Sequence, residues 1–165
     1  DDRFIITLSD IRKERTLQSA LGRNPGTDEA IVDALIERYL VDEEISEFRE
    51  IAVEDDAVTE RLRALRVPPG VSTEDLREAL VGEFRRSQFM MERFQQFIRV
   101  SDEELQKYYN EVYAPEVKNR GGRLPPLEEV VDAIRQNRVA EKMNEEVDSW
   151  LAELRRRSVI EKIPN

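Results

Sequence analysis

The chain contains neither cysteine nor histidine in 165 residues. Without cysteine there is no thiol nucleophile and no disulfide. Without histidine the commonest general base and every Ser-His-Asp arrangement are gone, and with both missing so are the usual ligands of structural zinc. No run of about 18 apolar residues occurs, so no segment reads as a membrane span. Glycine is scarce, at six residues, and no glycine-rich phosphate loop, Asp-x-Asp calcium loop or nucleophile elbow is present. The sequence therefore predicts a protein that is not an enzyme and that needs neither cofactor nor metal.

Positive charge is the other shortage. Asp and Glu number 36 against 26 Lys and Arg, a formal net charge of −10, which repels phosphate backbones and anionic lipid. Nucleic acid and membrane surfaces are poor partners for such a chain, whereas basic or unfolded cationic chains are attracted to it. The lack of cysteine fits the cytosol, and equally an oxidising compartment where a protein does without disulfides. The opening Asp1-Asp2-Arg3-Phe4, with no methionine and no signal-like stretch, reads as a processed or trimmed start.

What the chain does have is helical periodicity. Ser9 and Asp10 are candidates to cap a first helix running to about Ala20, ended by Gly22 and the Asn24-Pro25-Gly26 turn. Thr27 caps a second helix, with Asp28 and Glu29 in its first turn and Ile31, Ala34, Leu35, Tyr39 and Leu40 as its buried face. A third helix spans about 56–66, with Val58, Leu62 and Leu65 on one side, and stops before Pro68-Pro69-Gly70. Ser72 to Asp75 opens a short helix ending near Leu80, and an aromatic and methionine helix follows. Ser101 with Glu104 forms a cleaner capping box, starting a helix with Leu105, Tyr108, Tyr109 and Val112.

Residues 114–126, holding Pro115, Gly121, Gly122, Pro125 and Pro126, read as a linker. A long last helix covers 127–157, its apolar stripe split between Leu127, Val130, Val131, Ile134 and a second group of Ala140, Met143, Val147, Trp150, Leu151, Leu154. Polar residues 135–138 between them predict a solvated middle. Residues 4–8 and 159–163 are the two strand candidates, each too short to stand alone, so the expectation is that they pair and bring the chain ends together. The fold class expected is all-α with this short terminal strand pair.

Several motifs carry a resemblance. Ile5-Ile6-Thr7-Leu8-Ser9-Asp10-Ile11 resembles the opening strand and helix cap of SurA-type periplasmic chaperones. The segment from Phe84-Arg85-Arg86 to Ile98-Arg99-Val100-Ser101-Asp102-Glu103-Glu104-Leu105, ending in Tyr108-Tyr109, resembles that family's arginine-rich apolar helix and its following cap. Pro126-Leu127-Glu128-Glu129-Val130 to Trp150-Leu151-Ala152-Glu153-Leu154, then Val159-Ile160-Glu161, is similar to its returning helix and closing strand.

The resemblance implies a SurA N-domain-like fold. Residues 1–113 would form the helical chaperone region, 114–126 a linker replacing a parvulin isomerase insertion, and 127–165 a returning helix and strand completing the same domain. It implies a periplasmic or cell-envelope location and unfolded or extended polypeptide clients. Prolyl isomerase activity is not implied, because the insertion and its histidines are missing.

Phe84, Phe89, Met90, Met91, Phe94, Phe97 and Ile98 are the candidate client-binding residues. On one helix they cover more than the roughly 100° stripe of a one-sided surface helix, so some must face a second surface. Met adapts its shape and Phe supplies area, which suits partners of varied sequence. A buried hairpin core accounts for each residue singly, and a permanent homodimer interface would use the same face. The adjacent pairs Glu103-Glu104, Glu128-Glu129 and Glu145-Glu146 point in different directions on a helix and read as caps and solvated faces.

Overall fold

The computed structural model describes residues 4–47 and 51–161. Among them the architecture is all-α: α1 (Leu8–Ala20), α2 (Asp28–Ser46), α3 (Asp55–Ala64), α4 (Thr73–Phe94), α5 (Asp102–Tyr108), α6 (Ala114–Asn119) and α7 (Leu127–Arg157). A 3-10 turn, Gln95–Phe97, follows α4, and a π turn, Tyr109–Tyr113, joins α5 to α6. No described helix is long and apolar enough to cross a membrane. The chain divides into two compact units, the first Asp1–Met91 with Leu151–Asn165, the second Glu92–Trp150. The division falls inside α4 and α7.

In the first unit α1 begins two residues earlier than a cap at Ser9 would place it. Thr7 is the cap, its hydroxyl accepting from the Asp10 amide at 3.3 Å while the Asp10 carboxylate accepts from the Thr7 amide at 2.7 Å. The Thr7 hydroxyl and amide together hold the Asp10 carboxyl below its ordinary value. At the other end Gly22, at φ 77°, gives its amide to Ser19 O, and Arg23 gives its own to Gln18 O. This is the paired bonding of a Schellman close, and it needs a left-handed residue that glycine adopts without strain. Thr27 caps α2 as the sequence predicts, accepting from the Ala30 amide.

Leu17, Ala20, Leu21, Val58, Leu76 and Leu80 make the core, with Leu62, Leu65, Val71 and Phe84 packed against it. The buried face of α2 is Ile31, Val41 and Ile45; Ala34 is exposed, and Leu35, Tyr39 and Leu40 are half-buried. One charge enters this interior. Glu14 is buried and held by Arg38 of α2 and by Gln18 Nε2 at 2.7 Å. Burial pushes its carboxyl up, but Arg38, Gln18 and the nearby Arg86 outweigh that and keep it below its ordinary value.

The expected break in α4 after Leu80 is absent, and one helix runs through Gly82. The glycine costs about 1 kcal/mol in helix propensity, which burial of Leu76 and Leu80 on the preceding turns offsets. It also makes room: a Cβ there would sit 3.0 Å from the guanidinium of Arg86, which pairs with Asp42 of α2.

Both described chain ends dock on α2 without forming strands. The Phe4 ring stacks on Tyr39, centroids 4.2 Å apart. Arg155 pairs with Asp33 and Glu37, and Arg157 with Glu44. On a helix turning 100° per residue, Tyr39 stands roughly 140° around from those carboxylates. The ends therefore hold different faces of one helix. Among the described residues neither 4–7 nor 159–161 is in a strand, and residues 162 and 163 of the expected strand lie outside the description. A strand of four or five residues needs a ladder partner, and an aromatic stack on a helix replaces it here for Phe4.

In the second unit the Ser101 box forms as read, Ser101 Oγ accepting from the Glu104 amide at 3.2 Å and Glu104 accepting from the Ser101 amide at 2.9 Å. Residues 114–126 are not a plain linker. Helix continues to Asn119, and the π turn precedes Pro115, whose ring would press on the carbonyl of Glu111 in a regular turn. Gly121, at φ 70°, then gives its amide to Lys118 O and Gly122 its amide to Val117 O, a second Schellman close. From Leu127, α7 runs about 45 Å at 1.5 Å per residue.

Candidate functional site

The seven apolar candidates separate according to packing. In the first unit Phe84 lies against the core cluster, Phe89 is buried at 5 % exposure, Met90 is half-buried and Met91 is 51 % exposed. In the second unit Phe94 is buried, Ile98 half-buried and Phe97 69 % exposed. The core reading therefore accounts for Phe84, Phe89 and Phe94, while Met91 and Phe97 present apolar surface to solvent. Phe97 stands out because a 3-10 turn holds it after α4 ends, between exposed Gln96 and half-buried Ile98.

Behind these residues the second unit is held largely by polar contacts. Phe94 meets Trp150 edge-on, centroids 5.7 Å apart, and the Arg93 guanidinium lies 5.0 Å from the indole. Beyond that aromatic corner the middle of α7, which the sequence predicts to be wet, is bonded to the start of α5. Arg135 donates to the Val100 carbonyl and to Asp102, each at 3.0 Å. Lys142 donates to the Arg99 carbonyl at 2.8 Å and pairs with Glu104. Two carbonyls of the connecting loop, that of exposed Arg99 and that of half-buried Val100, are thus satisfied by side chains. The Lys142 ammonium, with the Ser101 amide, lowers the Glu104 carboxyl to about 2.

Sequence reasoning missed a second apolar group in the first unit. Phe4, Ile5 and Leu8 are 50, 62 and 58 % exposed, and Val159 and Ile160 are exposed as well. Reading both segments as paired strands assigned them to each other. The helix wheel would have recovered Leu8, which lies at the first position of α1 and off the line of Leu17 and Leu21.

Among the described residues no group of three or more carboxylates converges as a metal site. A hollow of about 300 Å³ in the first unit is lined by α1 residues Ser9, Arg12, Lys13, Thr16 and Leu17 and by Gly70, Val71, Ser72 and Asp75. Its Lys13 is paired with Asp75 at 2.9 Å, and that pairing holds the lysine above its ordinary value. Of the tyrosines, Tyr109 donates its hydroxyl to the Pro125 carbonyl at 2.8 Å, and its ring and that of Tyr113 stack with centroids 5.8 Å apart. Comparison of the chain with family models, with curated proteins and with solved structures finds no match.

Proposed function

We propose that this chain is an ATP-independent chaperone domain of the SurA N-domain kind, working in the periplasm or cell envelope, without isomerase activity. Its clients are extended apolar and aromatic segments of unfolded proteins. The observation that carries the reading is that two of the seven apolar candidates, Met91 and Phe97, stand in solvent in a chain of which 38 % is charged. An adaptable thioether and an aromatic ring at two separate positions gain contact with many sequences and demand none. Docking of the returning α7 on α2 supports the family likeness, and the proposed pairing of the chain ends would act through α2.

A second reading is an assembly domain whose permanent dimer interface uses these same side chains, since an exposed Met and Phe serve a fixed partner as well as a varied one. One experiment separates the two. Met91→Glu and Phe97→Glu are compared with the unaltered protein in suppressing aggregation of a denatured β-barrel client, beside a solution mass measurement. Loss of at least half of the suppression with unchanged mass is the outcome expected of a client site. A fall in mass instead makes the altered residue part of a subunit interface, and full suppression with unchanged mass removes both residues from any site.

A further inference from the structure

In the second unit the chain carries a contact that has the form of peptide recognition. After the Schellman close at Gly121 and Gly122, residues 123–126 (Arg-Leu-Pro-Pro) cross to the start of α7 with Leu124 and Pro125 half-buried. Neither Pro125 nor Pro126 has an amide hydrogen, so at these two residues the carbonyls are the only backbone handles. One of them is taken by the Tyr109 hydroxyl at 2.8 Å, and Tyr109 is stacked with Tyr113. An aromatic surface with a donor aimed at a carbonyl is how extended proline-rich segments are held, because their backbone is already stiff and little entropy is lost on docking. The tyrosines lie on a π turn, a costlier arrangement than a regular helix and one that tends to persist where side chains must be re-aimed.

The geometry points to residues 124–126 acting as an intramolecular ligand, so that the Tyr109–Tyr113 surface is a docking site for proline-containing extended segments of another chain, with the strap as the built-in competitor. The incoming segment replaces the strap's carbonyl at the Tyr109 hydroxyl and its apolar residue before proline replaces Leu124. Strap and surface are joined through the short helix α6, which sets an effective concentration in the millimolar range. An external segment therefore sees an affinity reduced by the fraction of time the strap is lifted. This inference stands apart from the client reading, since Met91 and Phe97 take no part in it.

The test uses the synthetic peptide Gly-Arg-Leu-Pro-Pro-Leu, the chain's own strap sequence supplied in trans, titrated into the full chain. Replacing Leu124, Pro125 and Pro126 together by Gly-Ser-Gly should tighten peptide binding at least tenfold over the unaltered protein. Adding Tyr109→Phe to that variant should weaken it again about fivefold, the usual worth of one net hydrogen bond, while adding Met91→Glu should leave it unchanged. Equal affinity of the strap-replaced and unaltered proteins would overturn the proposal and leave the strap a plain loop anchor. If the replaced chain does not fold, amide shifts of the unaltered protein with millimolar peptide decide it: changes centred on residues 108–113 and 120–127 uphold the site, and none there overturns it.

Discussion

The two units are built on different principles. The first closes around a cluster of leucines, valine and alanine in which Val58 and Leu76 have no solvent exposure at all. The second holds four buried apolar residues, Phe94, Leu105, Ala114 and Ile134, and adds arginine, lysine and tyrosine donors that reach loop carbonyls and carboxylates. Apolar burial is indifferent to pH and only weakly affected by moderate salt. Half-exposed ion pairs are weak singly and screened by salt. The first unit is thus expected to set the stability of the chain, and the second to open under milder conditions.

The hardest way to break this contrast is in the first core. Leu76→Ala should cost about 3 kcal/mol by denaturant unfolding, the usual loss when a fully buried leucine leaves a cavity. A loss below about 1 kcal/mol would mean that the leucine cluster does not carry this unit.

A smaller effect is expected in the second unit at Gly121, whose φ of 70° sets the close of α6. No atom crowds a Cβ there beyond the chain itself, so Gly121→Ala should cost only the left-handed backbone penalty, about 1 kcal/mol. Hydrogen exchange should show the loss at the amides of Gly121 and Gly122. Undiminished protection of those amides would remove the Schellman close from the account.

The smallest effect is a matter of pH. Glu104 is held at about 2, below its ordinary 4.5, by Lys142 and the Ser101 amide. The folded chain therefore binds that proton less readily than the unfolded chain. Its stabilisation is complete above about pH 4.5 and is lost as pH falls towards 2. Glu104→Gln should flatten the dependence of unfolding on pH within that window and leave it alone at pH 7 and above. A slope unchanged by the substitution would show that the cap, not the charge, is what matters at this position.

Local chemistry made part of this legible beforehand. The cap at Thr27, the box at Ser101, the 31 residues of α7 and the glycine stop after α1 are written within a few residues of where they act. What could not be read depends on residues far apart in sequence. The continuity of α4 through Gly82 rests on burial against α1 and α3, and the polar middle of α7 finds its carbonyls at residues 99 and 100, some 35 to 43 positions away. The π turn has a local signal in Pro115, whose missing amide makes a regular turn awkward, but reading residues 114–126 as a linker leaves that proline outside any helix. Among the apolar candidates, the crowding of Phe and Met into residues 84–98 is visible in the sequence, and only packing separates Met91 and Phe97 from the buried rest.

The placement of Leu154 bears on how the protein is made. This leucine is 4 % exposed in a unit whose other described parts end at Met91, and its neighbours Arg155 and Arg157 neutralise Asp33, Glu37 and Glu44 on α2. The ribosome must first add Glu92–Trp150, which at roughly 5–20 residues per second takes on the order of 3 to 12 s. During that interval the α2 carboxylates lack their arginines and the surface that Leu154 will cover is bare. The earliest-made part of the chain is thus among the last to be finished, and its synthesis leaves a timed window in which a nascent partner, or an aggregate, can compete for α2.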